Sequence, residues 1–116
     1  MKTPTDFLIR LLRLLDGFGR SDAPIDPIAR DILLHISARV GAGDRIHLSD
    51  IRFNAQFGSP ATALGRLQRL IDTGWVVSSP DPDDGRAQVL KLSEKADLEI
   101  RRLSASIRKL ASRECP

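Results

Sequence analysis

The segment from Ser59 to Gly74 constrains the fold most strongly, because it carries a complete set of helix signals. Ser59 is a favoured N-cap, and Pro60 suits the first helical position, where its missing N–H costs no hydrogen bond. Gly74 is a favoured left-handed residue after a helix. Apolar residues recur between them at the 3.6-residue period of one helix face: Ala63, Leu64, Leu67, Leu70 and Ile71. The pattern predicts an amphipathic helix over residues 59–73.

The opposite face of this helix is small near its start and cationic further on. On a helical wheel it holds Ala61, Thr62, Gly65, Arg66, Arg69 and Asp72. Small residues allow a partner to approach closely, and arginine binds a phosphate or the O6/N7 edge of guanine. This face would suit the major groove of DNA, although most amphipathic helices with two outward arginines are ordinary solvated surface helices. The neighbouring segments favour the DNA interpretation.

A short helix is predicted just upstream. Ser49 can cap it, although its apolar positions at Ile51, Phe53, Ala55 and Phe57 do not all fit one stripe. Gly58 then supplies a tight turn into the longer helix. Two helices joined by a short turn containing glycine are typical of a helix-turn-helix, in which the second helix enters the groove.

A β-hairpin is predicted downstream. Residues 75–77 predict one strand and residues 88–92 a second, with turn-forming residues crowded between them. A hairpin tip ending in Arg86 would place a cation in an adjacent minor groove, where the negative potential is strongest. The nearby aspartates favour either an ordinary solvated loop or a role in holding Arg86 by hydrogen bonds and ion pairs; they are Asp81, Asp83 and Asp84.

The hairpin and the capped helix both match a known pattern. The hairpin contains Asp83-Asp84-Gly85-Arg86-Ala87-Gln88-Val89-Leu90-Lys91-Leu92-Ser93-Glu94-Lys95, and the helix contains Ser59-Pro60-Ala61-Thr62 followed by Leu67, Leu70, Gly74 and Val76. These runs resemble the wing and the recognition helix of MarR-type transcriptional regulators over residues 26–96. Gly85 stands where that family often has a second arginine. The resemblance implies a winged helix-turn-helix, mainly α with a small β-hairpin wing, that dimerises through its terminal helices.

The N-terminal segment, residues 5–17, predicts a helix that is apolar around most of its circumference. It is too short to cross a bilayer and has to be buried on more than one side. A partner chain explains this better than a membrane surface, for which two arginines are few. The predicted dimer interface combines this helix with a C-terminal one over residues 94–113: Phe7, Leu8, Leu11, Leu12 and Leu15 with Leu103, Ile107 and Leu110.

The whole chain, residues 1–116, is predicted to be a single winged-helix domain with its core over residues 26–93. Asp26 caps a further helix with Pro27 at its first position, and this helix has an apolar stripe ending at Val40. Residues 45–48 predict a short strand beside the wing. Ser93 caps the C-terminal helix.

The amino-acid composition favours some kinds of function for this chain and disfavours others. The net charge of +3 and the pI of about 9.6 permit a nucleic-acid partner, although residues 44–93 are balanced in charge. Aromatic residues make up only 4% of the chain, which disfavours readers of RNA or single strands. The sequence contains no catalytic motif, and we assign no cofactor and no metal, since His35 and His47 lie 12 residues apart and no cysteine lies near either of them. The single Cys115 suits a reducing, cytoplasmic location.

The predicted function is therefore a homodimeric, sequence-specific regulator that binds double-stranded DNA, with helix 59–73 in the major groove and wing 80–87 at the minor groove. The predicted DNA contacts are Ser59, Pro60, Ala61, Thr62, Gly65, Arg66, Arg69 and Arg86. The alternative is a winged-helix module that binds protein, which Gly85 and the balanced charge of the core favour. The resemblance also allows a small-molecule effector, but no residue identifies one. No membrane partner is predicted.

Overall fold

The computed structural model describes residues 4–17 and 25–114, and within them the chain is mostly helical with a small antiparallel sheet, as predicted. The elements are α1 (Pro4–Asp16), α2 (Pro27–Gly41), β1 (Ile46–His47), α3 (Leu48–Arg52), a 3-10 turn (Ala55–Phe57), α4 (Pro60–Asp72), β2 (Val76–Pro80), β3 (Gln88–Leu92) and α5 (Glu94–Glu114). They form two compact units: a central unit, Asp26–Asp97, and a terminal unit, Met1–Ile25 with Leu98–Pro116.

The sheet of the central unit has the order β1-β3-β2, with both pairs antiparallel. Strand β2 is longer than predicted and extends through two serines to Pro80, which pairs with Gln88. Proline is tolerated there because β2 is an edge strand, where a missing N–H breaks no ladder bond. Ser78 donates its hydroxyl to the Gln88 side chain at 3.0 Å, so the polar end of β2 is stabilised across the hairpin.

The core of the central unit lies between α2, α4 and the sheet. Asp26 caps α2 as predicted, accepting the N–H of Ala29 at 2.8 Å. The expected apolar stripe of α2 is buried at Ile32, Leu33 and Ile36, but Val40 is exposed, so its last predicted position is wrong. The remaining fully buried large side chains are Ile46, Ile51, Phe57, Leu67, Trp75, Val76 and Leu90.

The helix before the turn is shorter than its apolar residues suggested. It begins after His47 rather than at Ser49, and the Asp50 carboxylate accepts the His47 backbone N–H at 2.8 Å. It ends at Arg52, and the chain then makes the 3-10 turn. This break explains why no single stripe fitted the segment: Phe57 points into the core from the turn, whereas Phe53 is 68% exposed.

Helix α4 is closed at its C-terminal end by contacts with β2 and α5. Gly74 adopts φ +83°, as expected for a left-handed residue after a helix, and the N–H of Trp75 returns to the Leu70 carbonyl at 2.9 Å. Lys95 donates to the Thr73 carbonyl at 3.0 Å while its Nζ lies 4.5 Å from the centre of the Trp75 ring. The Lys95 ammonium therefore donates to a free carbonyl at the C-terminus of α4 and also makes a cation–π contact with Trp75.

Candidate nucleic-acid interface

The start of α4 is held by the cap that its sequence predicts. Ser59 Oγ accepts the N–H of Thr62 at 3.2 Å and donates to the Thr62 hydroxyl at 3.0 Å. Gly58 enters the helix with φ +92° and ψ −157°, a conformation open essentially to glycine alone. The rigid turn leaves Ser59, Pro60 and Ala61 exposed at the helix start.

Helix α4 has the predicted apolar side, which is buried, and the predicted polar side, which faces outward. Ala63, Leu67 and Leu70 are buried, while Gly65 and Arg69 are exposed. Among the residues that the structure describes, the Arg69 side chain has no hydrogen-bond or ion-pair partner. Arg69 is thus a cation on an open helix face whose charge no carboxylate offsets.

Arg66 differs from Arg69 although both belong to the same face. Its Nε lies 2.6 Å from Asp26 Oδ2 and is itself buried, while 38% of the side chain remains exposed. The N–H at Nε is not aligned on this oxygen, so the contact is an ion pair rather than a well-formed hydrogen bond. Sequence reasoning missed this pair because 40 positions separate the two residues.

The hairpin is tied to β1 by a buried aspartate at its tip. Asp81 is only 6% exposed, and its carboxylate accepts from Arg45 Nη1 at 2.8 Å, from His47 Nε2 at 2.6 Å and from the N–H of Asp83 at 2.9 Å. The His47 hydrogen bond, the Asp83 N–H and the positive charge of Arg45 together lower the pKa of Asp81. Asp83 also accepts from Arg45 at 2.7 Å, and this hydrogen bond with the two negative charges raises the pKa of Arg45.

The interpretation that the three aspartates hold Arg86 by hydrogen bonds and ion pairs is met by one backbone hydrogen bond from Arg86 to Asp84, and no ion pair joins these aspartates to the Arg86 side chain. Asp81 and Asp83 bind Arg45 instead, and the Asp84 carboxylate accepts the backbone N–H of Arg86 at 3.1 Å. The Arg86 side chain is exposed and has no hydrogen-bond or ion-pair partner in the described ranges. It lines a cavity of about 310 Å³ that is bounded on the other side by the start of α3, at Leu48 and Ser49. The wing tip is therefore anchored by side-chain hydrogen bonds, and the Arg86 side chain is exposed on it.

The terminal unit exposes much of the predicted dimer surface. No residue of α1 is buried, and Leu8 and Leu12 are 51% and 49% exposed. Phe7, Leu11, Leu15, Leu103 and Ile107 are half-buried, and Leu110 is 8% exposed. A cavity of about 310 Å³ within this unit is lined by Arg10, Arg13 and Leu14 of α1 and by Ser106, Lys109, Leu110 and Arg113 of α5.

Residues 4–17 and 25–114 contain no group of three His, Cys, Asp or Glu side chains placed to hold a metal ion. No helix there is both long and apolar enough to span a bilayer. Cys115 lies outside the described residues.

Comparison with known proteins rests on structure, because no protein-family model and no curated protein matches the sequence. A transcriptional regulator from Thermotoga maritima is 22% identical with a TM-score of 0.64, over 97% of this chain and 78% of its own. ZitR from Lactococcus lactis is 20% identical with a TM-score of 0.61, over 95% and 76%. A mutant MarR from E. coli, solved with operator DNA, is 17% identical with a TM-score of 0.58, over 95% and 89%. The chain therefore has the winged helix-turn-helix fold of the MarR-type transcriptional regulators.

Proposed function

We propose that this chain is a transcriptional regulator that binds double-stranded DNA sequence-specifically as a homodimer, and that it is not an enzyme. One observation carries the proposal: Arg69 lies on the exposed face of α4 and Arg86 on a wing that is anchored through Asp81, and neither arginine side chain has a hydrogen-bond or ion-pair partner among the described residues. Both arginines are carried by backbone that is already ordered in the free protein. Binding to DNA therefore loses little backbone conformational entropy. The similar fold of a MarR solved with operator DNA supports this assignment.

The predicted contacts divide into three roles. Ser59, Pro60, Ala61, Thr62 and Gly65 present small groups at the start and middle of α4, so that the helix backbone approaches the base edges closely. Arg69 and Arg66 bind phosphate or guanine, and Arg86 enters the minor groove or binds its phosphates. Phosphate contacts set the position of the protein, and base-edge contacts set its sequence preference.

A homodimer is proposed because α1 leaves apolar side chains in solvent. Leu8, Ile9 and Leu12 are each more than 40% exposed on one 13-residue helix. Closed two-fold symmetry buries such a surface against its own copy. Two recognition helices related by that symmetry meet half-sites about one helical turn of DNA apart.

The proposal is tested by titrating DNA with Arg69→Ala and Arg86→Ala at several salt concentrations. Each lost phosphate contact should reduce the slope of log affinity against log salt by about 0.9, and a lost bidentate base contact should cost about 1–3 kcal/mol. Arg108→Ala, which removes an exposed arginine from α5, is the matched control and should change neither quantity. Equal effects of all three substitutions would show that α4 and the wing are not the interface.

A protein-binding module is the second candidate, because the central unit also exposes large apolar groups. Phe53 is 68% exposed beside Arg52, whose guanidinium carbon lies 5.2 Å from the ring centre, and Val77 is 50% exposed. A protein partner would cover such groups, whereas a phosphate backbone would not. Binding to DNA that is weak and indifferent to sequence would favour this candidate.

A further inference from the structure

The ion pair between α4 and α2 gives one carboxylate two tasks. Asp26 Oδ1 accepts the N–H of Ala29 at 2.8 Å and so caps α2, while Oδ2 lies 2.6 Å from Arg66 Nε. The cap hydrogen bond thereby fixes the carboxylate at the start of α2, beside the arginine. Arg66 is the only cation on the outward face of α4 with such a neighbour in the described ranges.

This neighbour reduces what Arg66 offers to a phosphate. A carboxylate at 2.6 Å offsets most of the attraction that a guanidinium exerts on a second anion. Both side chains are nevertheless more than one-third exposed, and partly exposed ion pairs are weak because water screens them. A phosphate is therefore able to compete with Asp26 for Arg66, at a cost that subtracts from the affinity for DNA.

We propose that Asp26 is an internal competitor of DNA for Arg66 and that it limits the affinity of the α4 face. This inference rests on the proposed function. In the free protein the face presents Arg69 with its full charge and Arg66 in a neutralised pair. On binding, Arg66 exchanges the Asp26 carboxylate for a DNA acceptor. Asp26 is thus a positioning residue: it acts on DNA only through the arginine that it holds.

Asp26→Asn separates the two tasks of this carboxylate. Asparagine is as good an N-cap as aspartate, so α2 keeps its cap while the charge beside Arg66 disappears. In the wild type, the Asp26 carboxylate that Arg66 leaves on binding takes up a cation and offsets the counterion released by the new phosphate contact. Without that carboxylate the salt slope steepens by about 0.9 per protomer, which corresponds to an affinity gain of up to about eightfold near 0.1 M salt. Asp26→Ser, a second uncharged cap, should behave in the same way and replaces Asp26→Asn if that variant folds poorly.

A double-mutant cycle assigns the gain to Arg66. Arg66→Ala should weaken DNA binding modestly in the wild-type background and more strongly in Asp26→Asn, and the double variant should lose the gain of Asp26→Asn. The inference is overturned if Asp26→Asn leaves affinity and salt slope unchanged, or if Arg66→Ala costs the same in both backgrounds.

Heparin, a polyanion without base sequence, distinguishes failure of this inference from failure of the proposed function. If the wild-type protein selects no DNA site, the proposed function fails, yet the cycle still reports on Arg66 through the salt concentration that elutes each variant from immobilised heparin. Later elution of Asp26→Asn, reversed by Arg66→Ala, supports competition between Asp26 and a polyanion. Identical elution of the wild type and Asp26→Asn refutes it.

Discussion

The orientation of α4 can be tested with two substitutions on opposite sides of the helix. Leu67 is fully buried, so Leu67→Ala removes three carbon atoms from the core and leaves a cavity. Such substitutions cost about 2–5 kcal/mol, the upper end applying where the surroundings do not collapse. In a chain of this size each kcal/mol lowers the melting temperature by roughly 4 °C, so a decrease of about 8–20 °C is expected.

Arg69→Ala lies two residues away on the outward face and is the matched control. Its side chain is exposed and makes no hydrogen bond or ion pair with the described residues, so its effect on stability should stay within about 0.5 kcal/mol. Both variants are compared with the wild type by urea unfolding, where an unchanged m value shows that only stability has changed. A stable Leu67→Ala together with a strongly destabilised Arg69→Ala would mean that α4 faces the opposite way.

Three other expectations follow from the same structure. Asp81→Asn should destabilise the wing at neutral pH. Because the folded pKa of Asp81 is lowered, the difference from wild type should begin to diminish as the pH falls to the ordinary value of 3.8 and should be lost as the pH falls through the lowered folded pKa. Urea unfolding across acidic pH measures this difference. Gly65→Ala should raise the free energy of unfolding by up to about 1 kcal/mol, because Gly65 lies within a helix and an added Cβ would meet no other atom. It should also weaken DNA binding, because the added methyl group holds α4 away from the bases. Tighter DNA binding by this variant would show that α4 does not approach the bases closely at Gly65. Leu12→Glu should convert the proposed dimer to a monomer in sedimentation, whereas a wild-type monomer would refute the proposed interface.

The elements predicted correctly from the sequence are those whose signals are local. Ser59 caps α4 through the N–H of Thr62, three residues further on, and Pro60 stands at the first helical position as predicted. The second strand of the hairpin has the predicted bounds, Gln88–Leu92. Local composition is a poor guide to an element whose extent depends on tertiary contacts. Strand β2 continues through two serines and a proline only because β3 lies beside it.

The electrostatic features of the site could not be predicted in the same way. Asp81 binds Arg45 and His47, which lie 36 and 34 positions earlier, and Asp26 binds Arg66 across two helices. One signal was present: a short strand was expected over residues 45–48 beside the wing, and its two basic side chains are complementary to the aspartates of the tip. The sequence offers no comparable sign of the Asp26–Arg66 pair, since its register depends on how α2 packs on α4.

The most direct test of the proposed function is a selection of genomic DNA fragments by the purified protein, followed by titration of the enriched fragment at two salt concentrations. We expect a palindromic site with half-sites about one helical turn apart, whose affinity falls steeply between about 50 and 200 mM salt. Weak binding that shows no preference among fragments would contradict the account and would make the exposed surface of the central unit a protein-binding one.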